Sequence, residues 1–372
     1  MTGVLAGDRM PFCYGMTADR QFCSFEAQAG RSAAIILAHA VCPDELRPVI
    51  EDFARQPDAF ASRDADVLIL GDEDVVRALA RHPSASWRIQ AIDCRTGFLQ
   101  RCGAPAGAAV ALVVDRNLRV AMRLSPGQAV DVAAACLACL DALPREAARD
   151  VLLPAPVLVL PNLLPRELCR GLIERFESGP SIDGGIASID TAGRPHSRID
   201  HAKKWRRDLP IPPDDAWHPM LRDALLHRCA PEIAKAFQAK VAHTDRILVA
   251  RYDAPGGWFG RHRDNMAENV AFREFAISVN LNTEEYEGGH LCFPEYNDHR
   301  YRPPTGAGVI FSTSLLHEAA PVLRGRRHVL LTFFHGDAAE ARRQAYQART
   351  TTAVTSTVAS PADATAKSLP AL

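Results

Sequence analysis

The sequence predicts two folded domains of different class, an α/β domain followed by a helix-supported β-sandwich or jelly roll. Three observations carry this. The chain has 372 residues, long for one core and sufficient for two. Its first part alternates β-like runs with helical stretches, the pattern of a partly parallel sheet. After about residue 245 the pattern turns to closely spaced short strands punctuated by Gly, Pro, Asn and Asp.

The first domain is expected over residues 1–147. Its strands are Ala33–Ala38, Asp66–Leu70 and Ala108–Val114, and its helices Asp44–Arg55, Asp74–Ala80 and Gln128–Leu143. A proline-rich joint, Leu152-Leu153-Pro154-Ala155-Pro156, ends a linker placed at 148–155. The second domain, 156–340, opens with an amphipathic helix from Pro165 to Phe176, with proline in its first turn. Its strands are Ile247–Tyr252, Phe275–Leu281, His290–Phe293, Gly308–Phe311 and His328–Phe334. The tail, 341–372, is rich in Thr, Ala and Ser with almost no large apolar residue. It is expected to be disordered, because it buries too little surface to offset its ordering entropy.

Composition narrows the function. A hydrophobic fraction of 47% fits a globular chain, and a net charge of -1 gives no basic footprint for nucleic acid. The basic run Lys203-Lys204-Trp205-Arg206-Arg207 reads as a solvated loop. No apolar stretch is long enough to span a bilayer, and the first residues do not read as a signal peptide. The 10 cysteines lack the close, even spacing of a disulfide framework, so a cytoplasmic location is expected.

The chemistry centres on His262-Arg263-Asp264. In a strand, side chains two apart share a face, so this His and Asp can grip one ion. Such a triplet alone is weak evidence, but His317 follows the strand Gly308–Phe311. Two histidines and one carboxylate form the facial triad that leaves positions open on non-haem iron(II). Ten residues beyond His317 stands Arg327, whose planar fork suits the remote carboxylate of a dicarboxylic cosubstrate. Ten residues before His262 stands Tyr252, placed to donate a hydrogen bond to the same molecule.

Three stretches together resemble prolyl 4-hydroxylase-like 2-oxoglutarate/Fe(II) dioxygenases: 251–264 (RYDAPGGWFGRHRD), 278–294 with SVNLN then YEGGHLCFP, and 317–327 with HEAAPV then GRR. The resemblance covers roughly 156–336. In collagen-type members the anchoring position is commonly lysine, whereas Arg327 occupies it here. The resemblance implies a distorted double-stranded β-helix (jelly roll), α+β in class, with Fe(II) at its mouth and 2-oxoglutarate as cosubstrate. It further implies a ferryl oxidant that abstracts a substrate hydrogen, release of succinate and CO2, and ascorbate as an occasional requirement. The substrate, peptidyl or small-molecule, is not legible; the loop Ser181–Asp208 reads as a lid.

The first domain resembles peroxiredoxins and related redoxins, which implies a thioredoxin-like fold. The likeness rests on Gly7-Asp8-Arg9-Met10-Pro11-Phe12, on a strand followed by Cys42-Pro43-Asp44-Glu45, and on Leu112-Val113-Val114-Asp115-Arg116. A helix N-terminus at Cys42 favours a thiolate. The proline and threonine that precede the peroxidatic cysteine in that family are missing, so a structural or substrate-presenting domain is expected. Cys136 and Cys139 have redox spacing but lie within an alanine-rich helix, which reads as buried packing. The competing reading is a thiol-dependent peroxidase or reductase using Cys42 with an auxiliary C-terminal domain. A third is a non-catalytic binding protein on a decayed oxygenase scaffold, against which the complete ligand set argues.

Overall fold

The computed structural model describes residues 3–17, 20–79, 89–94, 96–125, 131–189 and 195–358. The chain divides into two compact units: Met1–Leu152 with Pro161–Pro165, and Leu153–Leu160 with Arg166–Leu372.

In the first unit the strands are β1 (Tyr14–Thr17), β2 (Phe22–Ser24), β3 (Ser32–His39), β4 (Ala65–Gly71), β5 (Ile89–Cys94), β6 (Ala108–Val114) and β7 (Val120–Leu124). The helices are α1 (Pro43–Ala54), α2 (Pro57–Ala61), α3 (Glu73–Leu79), α4 (Thr96–Arg101) and α5 (Val132–Ala142). Among the described residues the strands form one sheet in the order β2-β1-β5-β4-β3-β6-β7. Strand β3 is parallel to β4 and antiparallel to β6, which is antiparallel to β7. This βαβ unit followed by a ββα unit is a thioredoxin-like fold. Strand β3 is apolar from Ala33 to Ala38 because both faces are covered. Ile35 and Leu37 join one buried cluster, and Ala34, Ile36 and Ala38 join the other with α1 and α5. Of the expected helix Asp74–Ala80, Ala80 lies outside the described residues, as do positions 128–130 of Gln128–Leu143.

In the second unit the strands are β8 (Val157–Leu160), β9 (Ile182–Asp183), β10 (Ile186–Ile189), β11 (Pro195–Arg198), β12 (Lys204–Trp205), β13 (Arg207–Ile211) and β14 (His243–Thr244). They continue with β15 (Ile247–Asp253), β16 (Trp258–His262), β17 (Phe275–Asn280), β18 (Tyr286–Gly288), β19 (Leu291–Cys292), β20 (Gly308–Ser312), β21 (His317–Ala319) and β22 (Val322–His335). The helices are α6 (Arg166–Ser178), α7 (Trp217–Phe237) and α8 (Asp337–Val358). A larger sheet runs β8-β20-β17-β22-β15-β13-β9 and a smaller one β12-β16-β21-β19. Alternate residues of the larger sheet (Leu248, Ala250, Tyr252, Ala276, Val309, Phe311, Val329) share one buried cluster with Leu291 and Ala319 of the smaller and with Phe293 just beyond β19. Period-2 alternation thus packs two antiparallel sheets face to face, the double-stranded β-helix. On the opposite face Ile247 and Val249 are also buried, and α6 packs against β15.

The expected disordered tail from 341 is corrected in part. Helix α8 continues from Asp337 to Val358, and residues 359–372 lie outside the described residues. The reason is local. Alanine favours helix, Ala339 is fully buried, and Glu340 accepts from Arg343 at 2.8 Å and Gln344 at 2.9 Å, one turn on. Glu340 also meets His335 at 2.7 Å, tying the helix to the end of β22.

Among the described residues no helix is long and apolar enough to cross a membrane.

Candidate metal centre

Strands β16 and β21 pair so that His262 lies directly opposite His317. A register irregularity between Phe259 and His262 bends β16 here, the usual device for aiming a side chain at a site. Arg263 turns outward to Glu295, at 3.1 Å and 2.5 Å. Asp264 therefore turns inward, its N–H donating to the Thr313 carbonyl at 3.0 Å.

The three side chains converge, their donor atoms all within 4.8 Å of one another. His262 Nε2 is 3.4 Å from Asp264 Oδ1 and His317 Nε2 is 3.4 Å from Oδ2. Each imidazole uses its other nitrogen on a backbone carbonyl, His262 Nδ1 on Gly260 at 2.7 Å and His317 Nδ1 on Leu315 at 3.0 Å. If those nitrogens carry the protons, both Nε2 lone pairs face Asp264, the tautomer a metal ligand needs. Aromatic rings fix the imidazoles. Phe259 stacks on His262 at 3.5 Å, and Phe311 sits 4.6 Å from His317. Burial pushes the His317 imidazole down to about 4, keeping it neutral near pH 7. Burial alone would raise Asp264, but the imidazoles and Arg273 outweigh it and hold the carboxyl below its usual range. Two imidazoles and one carboxylate on a single face fit a divalent iron with positions left open.

Two cavities meet at this triad. A narrow one of about 60 Å³ runs inward between the sheets to Tyr252 and Arg327. A wide one of about 830 Å³ opens past Trp258 and Met266. Arg327 is 2% exposed and paired in register with Tyr252. Its Nη2 reaches Ser278 Oγ at 3.4 Å, and its buried Nε has no hydrogen-bond partner. A buried guanidinium N–H without an acceptor is costly. A carboxylate in the narrow cavity would supply that acceptor. Gly289, at φ +58, keeps room for this arrangement, since a Cβ there would come within 2.9 Å of the Arg327 side chain. Arg326, next along the strand, points outward with 62% of its side chain exposed.

Reading 203–207 as a solvated loop is corrected. Exposure alternates with period 2, so that Lys203 and Trp205 are exposed while Lys204 and Arg206 are buried. Arg206 grips Asp208 through two bonds of 2.5 and 2.7 Å and donates to Tyr252 Oη at 3.3 Å. Tyr252 thus receives one hydrogen bond and keeps its own proton to give. Burial, with Arg206 adding to it, pushes the Lys204 ammonium down to about 6. Burial alone would raise Asp208, but Arg206 and Lys204 hold its carboxyl below the usual range. Its stabilisation is therefore complete above about pH 4, the unfolded value, and is lost as pH falls through the lower folded value. Asp208→Asn is expected to cost about 3 kcal/mol near neutral pH by leaving Arg206 unpaired. Thermal unfolding should show that loss near neutral pH and a smaller difference from the parent in acid. Equal stability at both pH values would contradict it.

In the first unit Cys42 is exposed at the N-cap position of α1, where its side chain makes no capping hydrogen bond, and Pro43 takes the first helical position. Glu45 is exposed three residues on. Among the described residues Cys42 belongs to no group of side chains arranged to hold a metal. Cys136 is fully buried and Cys139 half-buried on α5, and burial pushes their thiols up to about 12 and about 11. They pack and do not form a ready dithiol. Cys42→Ser is expected to leave 2-oxoglutarate turnover largely intact. Rapid peroxide consumption that vanishes in that variant, followed by stopped flow on the reduced protein, would make the first unit a second active enzyme.

The sequence model of the 2OG-Fe(II) oxygenase superfamily matches residues 247–335, the segment running from β15 through the triad to the end of β22. Within the C-terminal half these residues therefore form a 2OG-Fe(II) oxygenase domain, a superfamily that employs Fe(II) and 2-oxoglutarate. A PKHD-type hydroxylase of Paracoccus denitrificans (strain Pd 1222) is 28% identical over 179 residues, 46% of this chain and 74% of the relative. Among solved structures, a prolyl-4-hydroxylase of Pseudomonas putida is similar at 18% identity and a TM-score of 0.36, covering 49% of this chain and 93% of that one. The thioredoxin domain of a thiol-disulfide oxidoreductase from Bacteroides vulgatus is similar at 11% identity and a TM-score of 0.29, covering 36% of this chain and 96% of that one.

Proposed function

We propose that the C-terminal domain hydroxylates a peptidyl or small-molecule substrate, consuming 2-oxoglutarate and dioxygen and releasing succinate and CO2. His262, Asp264 and His317 hold the Fe(II), Arg327 takes the remote carboxylate of 2-oxoglutarate, and Tyr252 donates a hydrogen bond to the same molecule. The observation that carries this reading is the convergence of the three donor groups within 4.8 Å where the narrow and wide cavities meet.

When bound, iron supplies the dioxygen chemistry, coupling oxidative decarboxylation of the cosubstrate to oxidation of a substrate C–H bond. The chain's own residues bind, orient and exclude water. Arg327 and Tyr252 fix the cosubstrate at the inner end. Phe259, Phe311 and Leu291 keep the walls apolar, so that charges inside interact in a low dielectric. The wide cavity leaves the substrate carbon a route to the open side of the triad. Ascorbate is included in the assay as reductant for the iron.

The test supplies the purified protein with Fe(II), 2-oxoglutarate, isotopically labelled dioxygen and a panel of peptides and metabolites. The expected product is a substrate heavier by one labelled oxygen atom, formed one for one with succinate. Succinate formed with no labelled product from any member of a broad panel would count against hydroxylation as the outcome.

A further inference from the structure

The charges around the wide cavity do not balance. Arg206 is matched by Asp208, and Arg273 holds Asp245 at 2.7 and 2.5 Å. Asp264 belongs to the triad and Arg327 to the cosubstrate end. Lys204 shares Asp208 at 3.7 Å, and Arg246 is left over together with the exposed Lys203. Arg246 lines both cavities along with His262 and Asp264, and its exposed surface faces the wide one, with its guanidinium 6.0 Å from the Phe333 ring. Its side chain makes no hydrogen bond or ion pair among the described residues. Burial, Arg273 and Arg206 pull its guanidinium down to about 10, which leaves it cationic at neutral pH. A cation kept beside two other guanidinium groups without a counter-ion of its own is an arrangement that favours an anionic ligand.

Arg246 cannot share the carboxylate held by Arg327. Arg246 stands six residues before Tyr252, about 20 Å away along an extended chain, and Tyr252 is the register partner of Arg327. Arg246, Leu248 and Tyr252 line the same narrow cavity, so the two arginines stand at opposite ends of one inward face. A single extra positive charge close to Asp208 and Asp245 matches a monoanion better than a phosphate dianion, which the two carboxylates would repel.

Resting on the oxygenase reading, we propose that Arg246 is the specificity-determining residue for the substrate, and that the substrate carries a carboxylate which Arg246 receives from the wide cavity. The carboxylate can belong to a free acid, a peptide C-terminus or an acidic side chain, since all present the same pair of oxygens to the guanidinium fork.

The experiment uses the full chain loaded with Mn(II) in place of Fe(II) and saturated with 2-oxoglutarate, so that the Arg327 end is filled and no turnover occurs. The probes are N-acetylglycine and hippurate, each paired with its neutral amide. Binding near the metal is read from Mn(II)-induced broadening of the probes' proton resonances. In the parent protein the acids should bind at least about tenfold more tightly than the amides, the size of one charge-assisted contact. In Arg246→Gln that preference should fall to within about twofold, and Arg246→Lys should keep part of it. An aspartyl-amide peptide and a peptide with a free C-terminus then separate the sources of the carboxylate. The proposal is overturned if the parent shows no acid preference, if the preference survives in Arg246→Gln, or if Arg246→Gln loses 2-oxoglutarate instead. Calorimetric titration of 2-oxoglutarate into the parent with Mn(II) judges the oxygenase reading separately, because failure there leaves the acid-amide comparison standing on its own.

Discussion

Replacing His262 with alanine is expected to abolish stoichiometric Fe(II) binding and with it nearly all 2-oxoglutarate turnover. The imidazole contributes one of three protein donors, and Ala leaves His317 and Asp264 to hold the ion alone. Loss of residues that merely orient a ligand typically costs 10–100-fold in metal affinity, so removal of a ligand itself should exceed about 100-fold. His262 also stacks on Phe259 at 3.5 Å and bonds the Gly260 carbonyl. His262→Gln, which keeps much of that volume, should therefore accompany it. Equilibrium dialysis against Fe(II) under anaerobic conditions reads the effect, with far-ultraviolet circular dichroism to verify folding. Unchanged iron stoichiometry in a folded variant would remove His262 from the site.

Arg327→Ala is expected to raise the apparent KM for 2-oxoglutarate by about 10–100-fold while sparing iron binding, because hydrogen bonds to a charged group contribute about 1.5–3 kcal/mol. Arg326→Ala should change it by less than about twofold. The two residues are neighbours in sequence and opposite in environment, one 2% exposed in the narrow cavity and the other outside beside Glu177 and Asp253. Arg327→Lys should recover part of the loss, since it restores charge without the planar fork. Equal effects at 326 and 327 would contradict the register of β22.

Residues whose side chains obey strand periodicity were legible from the sequence. The H-x-D pair was read as lying on one strand, whereas β16 ends at His262 and Asp264 follows in a turn; Arg263 between them still faces outward to Glu295. Arg327 and Tyr252 followed from their distance to the histidines along β-like runs, and the structure places them in register. The basic run at 203–207 misled because charged residues default to solvent. Yet Lys204, Arg206 and Asp208 alternate with Lys203, Trp205 and Arg207, a period-2 signal that hydropathy conceals when the inward positions are polar. Arg246 was invisible for a related reason, since nothing local distinguishes a cation facing a cavity from one facing bulk water. Helix α7 has buried Leu221, Leu225, Cys229 and Ile233 at helical spacing, but Pro231 stands inside it and weakens the pattern. Helix α8 lacks an apolar stripe altogether and is held by pairs around Glu340 that composition does not reveal.

The most direct test of the account is succinate formation from 2-oxoglutarate by the purified full chain, comparing parent and Asp264→Asn with and without Fe(II). The substitution keeps the shape of the side chain and removes the charge that the proposed site would offer the metal. Fe(II)-dependent succinate is expected from the parent, with a fall of more than about 100-fold in the variant. Succinate formed equally well by the variant, or by the parent stripped of iron, would contradict it.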